Sequence, residues 1–307
     1  MSDVPSNQRD DNEIDLSELI NICWAAKWLI IVVTALFAMG SVIYALQITD
    51  IYRAEAVLAS AESEQGTVGL SGQFGGAAAL LGVNLAANGG DDISTSIATL
   101  KSRQFIGRFI EENNILVSLF AGTWEGRNEV NVIDDEKYDV ETDTWLIDGG
   151  RPSSQAAYRV FSDMLIISGP DRSTGIITVS VDWINPFEAA DWTNKLVAAI
   201  NAEVRSKDVR EASSAITFLR QQLEQTQLVE MQRVFYQLIE SQTRIIMLAD
   251  VREEYVFRVI DPAVVPDRKI APRRSVTVIL GTLIGLMFAL VLVFVQQKLS
   301  PEIEKAN

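Results

Sequence analysis

The chain has 307 residues, 48% of them hydrophobic, with 41 acidic and 26 basic side chains and a formal net charge of −15. That surplus of negative charge opposes binding to nucleic acid or anionic lipid, while the length and apolar content suffice for a folded core. Histidine is absent and Cys23 is the single cysteine, which removes imidazole catalysis, histidine-held metal and any intrachain disulfide.

Residues 1–13 are polar. Asp15 or Ser17 starts a short predicted helix over Leu16–Trp24 that lies on a membrane surface. From Trp28 to Leu46 no charge occurs, and about 19 residues at about 1.5 Å each match a hydrocarbon core of about 30 Å. The leader is acidic (Asp10, Asp11, Glu13, Asp15, Glu18) and no Ala-x-Ala site follows, so the stretch reads as an uncleaved anchor. Trp24, Trp28 and Tyr44 suit the aromatic belts of a bilayer. The segment after this anchor is free of Cys, which suits an oxidising compartment.

Ile51–Ala59 alternates as a strand. Residues 66–90 are rich in Gly, Ala and Leu, yet no Gly-Lys-Ser/Thr follows and no Gly-x-Gly-x-x-Gly is present. The stretch therefore reads as a flexible or partner-packed loop and not as a phosphate cradle. One helix is predicted from Asp92 to Asn113, with Ile93, Ile97, Leu100, Ile106, Phe109 and Ile110 on its apolar face. Residues 121–150 read as loops with a strand near Tyr138–Ile147. A helix over Ser154–Ser162, a strand over Met164–Ser168, a turn over Gly169–Gly175 and a strand through Ile177, Val179 and Val181 follow. The acid pairs Asp134/Asp135 and Glu253/Glu254 point apart in a strand or loop, so they read as surface charge and not as glycosidase carboxylates.

Asn185-Pro186-Phe187-Glu188 carries a capping residue, a proline suited to the first helical position and an acid where a capping box needs one. No Gly or Pro occurs from Phe187 to Asp261. The expectation is one helix to about Asp250, with a contour near 100 Å and a single candidate break near Ser206–Asp208. Ile216, Leu219, Leu223, Met231, Phe235, Leu238, Ile245 and Leu248 follow a three-four spacing that Gln and Glu interrupt at Gln221–Gln227. Leu219, Leu223, Met231, Phe235 and Leu238 are therefore assigned to contacts between arms of neighbouring copies. The competing reading is a helix laid along its own domain.

Tyr255–Ile260 reads as a returning strand, followed by a stiff connector containing Pro262, Pro266, Pro272, Arg273 and Arg274. A second uncharged stretch runs from Val276 to Val295. Its fourteen Leu, Ile, Val and Phe residues favour insertion by about 4–8 kcal/mol. Gly281 and Gly285 form a small-xxx-small pattern, and Thr34/Ala38 or Ser41/Ala45 on the first stretch supply a matching face. Charge gives a mixed orientation signal. Arg9 and Lys27 precede the first span, but Arg268, Lys269, Arg273 and Arg274 precede the second, where they read as a lipid-facing collar.

The organisation is thus an N-terminal tail (1–27), a span (28–47), a large domain (48–274), a second span (275–296) and a C-terminal tail (297–307). Within the domain, 48–185 and 251–274 form a base and 186–250 the helical arm. In order along the chain, Glu13-Ile-Asp-Leu-Ser-Glu-Leu19, Tyr52-Arg-Ala-Glu-Ala-Val-Leu58, Leu100-Lys-Ser-Arg103, Asn185-Pro-Phe-Glu-Ala-Ala190, Val259-Ile-Asp-Pro-Ala-Val-Val-Pro266 and Ala271-Pro-Arg-Arg274 resemble the polysaccharide co-polymerase family, of the Wzz type that sets O-antigen chain length. The resemblance implies an α+β fold with a membrane-proximal α/β base and a long projecting helix. It places both tails in the bacterial cytoplasm and the domain in the periplasm.

It also implies a homo-oligomeric ring in the inner membrane that is not an enzyme, with no cofactor and no metal. The implied partners are further copies of the chain, an O-antigen polymerase that docks on the paired spans, the lipid-linked polysaccharide and membrane lipid. The alternative is a co-polymerase subunit for capsule or exopolysaccharide export that works with a separate tyrosine kinase. A fused kinase is not expected, because the few residues after the second span contain no Tyr.

Overall fold

The computed structural model describes residues 24, 26–61, 89–125, 130–171 and 173–304. The predicted surface helix over Leu16–Trp24 and the Gly-rich loop lie almost wholly outside these residues. The chain divides into two units, 1–50 with 270–307 and 51–269.

The first unit is a pair of apolar helices, α1 (Lys27–Gln47) and a C-terminal helix (Arg274–Glu304). Both are long and apolar enough to cross a membrane. The second helix continues to Glu304, past position 296 where the sequence reading ended the span, so the expected tail begins as helix.

In the second unit, strand β1 (Ile51–Ser60) pairs antiparallel with a strand over Ile177–Trp183, in a register that sets Tyr52 opposite Trp183 and Leu58 opposite Ile177. Ala54, Ala56 and Leu58 are buried at period two. After the undescribed segment, the single helix expected over Asp92–Asn113 is two: α2 (Gly89–Leu100) and α3 (Arg103–Glu112). Ser102 separates them, because its extended backbone and its hydroxyl, which accepts from Phe105 N at 3.2 Å, make it an N-cap for α3. Asn114 takes left-handed backbone angles and starts α4 (Ile115–Ala121), a helix not read from the sequence.

Two pairs of short antiparallel strands follow, β2 (Gly122–Glu125) with β3 (Val130–Ile133), and β4 (Tyr138–Asp139) with β5 (Thr144–Trp145). The one strand expected near Tyr138–Ile147 is therefore a hairpin. Helix α5 (Ser154–Met164) leads directly into β6 (Leu165–Ser168), which pairs with β7 (Ile177–Trp183). In the turn between them, the Asp171 carboxylate accepts from the amides and hydroxyls of Ser173 and Thr174, which hold its pKa well below the usual carboxylate range.

Helix α6 (Pro186–Gln225) is 40 residues long and begins as the sequence predicts: Asn185 Oδ1 accepts from Phe187 N at 3.0 Å and Glu188 N at 3.4 Å. Its first part belongs to the base. Ala189, Ala190, Trp192, Thr193, Leu196, Val197 and Ile200 are buried, and the helix packs on β1 and β7. Small Ala54 on β1 permits a close approach, with Thr193 Oγ1 at 3.4 Å from Ala54 O. An aromatic chain knits the layers: Phe109–Phe161 centroids are 5.7 Å apart, Phe161–Trp192 6.2 Å and Trp192–Trp183 5.3 Å. The base thus extends to about residue 201, and the arm does not begin at 186.

Nor is the arm one helix to residue 250. Helix α6 runs unbroken through Ser206–Asp208 and stops at Thr226, whose backbone is extended. Helix α7 (Val229–Val251) then returns alongside it. No Gly or Pro marks the reversal. Its cause is burial, since a continuous helix would leave both apolar stripes wet, whereas folding back sets one against the other. The loop is sealed by side chains: Thr226 Oγ1 donates to Gln222 O and Gln232 Nε2 donates to Thr226 O, each at 2.8 Å.

Strand β8 (Phe257–Asp261) completes the order β6-β7-β1-β8, antiparallel throughout, with a register shift between Val57 and Leu58. A short strand, Lys269–Ala271, precedes the last helix, α8.

Truncating Phe161, fully buried at the centre of the aromatic chain, should destabilise the fold by about 3–5 kcal/mol. The denaturant midpoint of the detergent-solubilised full chain, followed by tryptophan fluorescence, should fall in Phe161→Ala; an unchanged midpoint would place Phe161 outside the core.

Candidate functional site: the span pair and the clamped arm

The span pair is antiparallel and fitted by size. A Cβ added at Gly281 would overlap Ser41 Cβ and reach within 2.9 Å of its Oγ; one added at Gly285 would overlap Phe37 Cβ and reach within 2.9 Å of its Cγ. At both glycines the last helix lies directly against side chains of α1. Of the faces proposed from sequence, Ser41 lies against Gly281. Thr34 and Ala38 are half-buried, and Ala45 is buried. The neighbour of Gly285 is Phe37, which sequence reasoning missed; its ring lies 5.6 Å from that of Phe288.

Polar groups within the pair are mostly satisfied locally. Ser41 Oγ donates to Ala38 O, and Thr282 Oγ1 to Val278 O, each at 2.8 Å. Thr34 Oγ1 is buried with no hydrogen-bond partner among the described residues.

One end of the pair is closed by charge. Arg274 Nη2 donates to Asp50 Oδ1 at 2.9 Å, joining the residue that opens α8 to the segment that follows α1. A cation in the first turn opposes the helix dipole, and the Asp50 carboxylate offsets that. Among the collar cations, Arg273 and Arg268 are exposed and Arg274 is engaged with Asp50. In the connector Pro262 is exposed, while Pro266 and Pro272 are half-buried.

The arm is held at its root by a polar ladder on one side of α6. Asn194 Nδ2 donates to Ala263 O and its Oδ1 accepts from Ala263 N, both at 2.9 Å. Seven residues on, buried Asn201 repeats the arrangement: Nδ2 donates to Phe257 O, and Oδ1 accepts from Val256 N and Phe257 N, all at 2.9 Å. Seven further on, Asp208 Oδ2 accepts from Tyr255 OH at 2.9 Å. A carboxamide offers one acceptor and a donor side by side, as a peptide group does, so the asparagines partner the backbone around β8 as another strand would. Two further ion pairs brace the base. Arg53 grips Asp182 through both carboxylate oxygens at 2.6 and 2.7 Å, and Arg108 reaches Glu203 at 2.7 Å. The hydrogen bond to Asp182 raises the Arg53 pKa above its ordinary value.

The residues assigned to contacts between arms are placed otherwise by the hairpin. Leu219, Leu223, Phe235 and Leu238 are half-buried on two helices that pack against each other, so much of their surface has an internal partner; Met231 is exposed. Met231 thus belongs to the outward apolar groups of the hairpin, with Phe218, Leu228, Val229, Tyr236, Met247 and Val251. Among the described residues no group of three or more His, Cys, Asp or Glu side chains is placed to hold a metal.

Residues 12–113 match the family model described as chain length determinant protein (Wzz), and residues 218–298 match the model described as a G-rich domain on putative tyrosine kinase (GNVR). The tyrosine-protein kinase etk of Escherichia coli strain K12 is 34% identical over 112 residues, covering 36% of this chain and 14% of etk; etk of E. coli O157:H7 matches to the same extent. The chain thus matches only 14% of the length of these curated relatives. Among solved structures, a full-length bacterial polysaccharide co-polymerase aligns at 13% identity and a TM-score of 0.43, covering 94% of this chain and 99% of that one. A fragment of WzzB, a polysaccharide co-polymerase from Salmonella Typhimurium, aligns at 14% identity and a TM-score of 0.31, covering 73% of this chain and all of the fragment.

Leucine at Gly281 or Gly285 should force the spans apart and weaken their association by about 1–3 kcal/mol. A membrane reporter of association between the two span segments should register the loss. Ser41→Gly should recover part of the deficit of Gly281→Ala and none of that of Gly285→Leu. Full association in both leucine variants would reject this packing.

Proposed function

We propose that the chain is a polysaccharide co-polymerase of the Wzz type: an inner-membrane scaffold, without catalytic chemistry of its own, that regulates how many repeat units a membrane polymerase adds to O-antigen. The match of residues 12–113 to the chain-length-determinant domain carries this reading, since it covers the first apolar helix and the strand after it. The two apolar helices, one preceding and one following residues 51–269 in the chain, support a two-span topology. In this proposal both tails are cytoplasmic and the domain is periplasmic. Copies assemble into a ring through the outward apolar groups of the arm. The paired spans meet the O-antigen polymerase, and the lipid-linked polysaccharide stays near it. Holding enzyme and growing chain together raises their effective concentration, so repeated addition competes with release.

A second reading is favoured by the GNVR match over residues 218–298 and the 34% identity to etk over 112 residues. Here the chain serves capsule or exopolysaccharide export beside a separate tyrosine kinase.

Deleting the gene distinguishes the two. Loss of the preferred lipopolysaccharide ladder length, with polymer still made, is the expected result. An intact modal band overturns the O-antigen reading, and an intact band together with lost or shortened exopolysaccharide establishes the second.

A further inference from the structure

We propose that Asn194, Asn201 and Asp208, spaced by seven along α6, are positioning residues that set the pitch of the arm and through it the preferred polymer length. The inference rests on the chain-length reading above.

Helix α6 passes without a break from base to arm, so the arm's direction depends on where the returning chain is pinned to it. The pins are the three rungs, which engage Ala263, then Val256 and Phe257, then Tyr255. Seven residues rise about 10 Å, so the rungs lie on one side of the helix along about 20 Å. The central rung is the firmest. Asn201 is only 4% exposed and makes three hydrogen bonds. The flanking strand contributes on its other edge, where Ala61 N donates to Val256 O at 2.9 Å. Beyond Asp208, α6 continues for about 25 Å to the hairpin tip, so a tilt of about 10° at the ladder moves the tip by about 4 Å. Side chains that pack between copies sense a shift of that size, because close-packed contacts do not deform smoothly. A change at the root is thereby read at the tip.

The test uses the full chain expressed in a strain deleted for it. Asn201→Ala, Asn194→Ala and Tyr255→Phe are compared by lipopolysaccharide gel, and the purified full-length variants by hydrogen exchange. In Asn201→Ala the amides of Val256 and Phe257 should exchange about tenfold faster or more. The polymer should take a new preferred length rather than lose preference. Tyr255→Phe, which removes one hydroxyl from the outermost rung, should give a smaller displacement in the same direction and covers the case in which Asn201→Ala does not accumulate. Leu119→Ala, which opens the base away from the ladder, should lower stability and leave the modal length in place.

Wild-type length in Asn194→Ala and Tyr255→Phe overturns the proposal, as does unchanged exchange in Asn201→Ala. So does a loss of preference shared with Leu119→Ala, because that outcome is what damage to the fold alone would give. If the deleted strain itself keeps its modal band, the chain-length reading fails; if deletion abolishes the band and all ladder variants keep it, only the ladder's role fails.

Discussion

The carboxamide of Asn201 is the contact on which the architecture of the large unit turns. It lies where a helix, a strand and the root of a hairpin meet, and it satisfies one backbone carbonyl and two backbone amides in a space closed to water. Buried backbone groups without partners are costly, and a strand laid against a helix ordinarily has none on its free edge. An asparagine answers the problem with a side chain that imitates a peptide unit. Asn194 repeats the device two helical turns lower, and together they fix the height at which the chain leaving α7 meets α6. The hydrophobic contacts along the hairpin then have a defined register from which to start.

The membrane unit is held by different physics. In lipid there is no hydrophobic gain from bringing two apolar helices together, so association depends on close fit and on polar contacts. Gly281 and Gly285 provide the fit, as depressions that receive Ser41 and Phe37. Asp50 and Arg274 provide the polar contact at one end. Steric packing of this kind is directional, so it specifies the rotation of each helix about its axis as well as their proximity. The lipid-facing surface presented to a third helix is then fixed too, which an isolated pair of greasy segments would leave free.

Much of this was legible in the sequence where the signal is local. The two apolar stretches follow from composition, the alternation in Tyr52–Leu58 and Ile177–Val181 from the pleat, and the start of α6 from Asn185 and Pro186. The glycine pair was visible as a pattern, although its neighbour Phe37 was not, because a bulky residue opposite a glycine has no spacing rule. What escaped was set by tertiary structure. Nothing at Thr226–Leu228 breaks a helix by propensity; the chain turns there because two stripes need each other, and the interruption at Gln221–Gln227 was the one available sign. Asn194 and Asn201 read as polar positions on a helix surface, since their partners lie 55–69 residues away. Asp50 and Arg274 are 224 apart in sequence, beyond any local pattern. The division at Ser102 was missed because the apolar spacing continues across it, although serine before a helical run is an ordinary cap signal.

A hairpin that leaves and re-enters the base at the same ladder has a property that a lone projecting rod lacks. Paired insertions or deletions of equal length, one in α6 beyond Asp208 and one in α7, change its reach while leaving every residue of the root in place. Steps of seven residues preserve the facing of the stripes, because seven residues are close to two full turns. Evolution can therefore vary the extent of this appendage in discrete increments of about 10 Å without redesigning the domain that carries it.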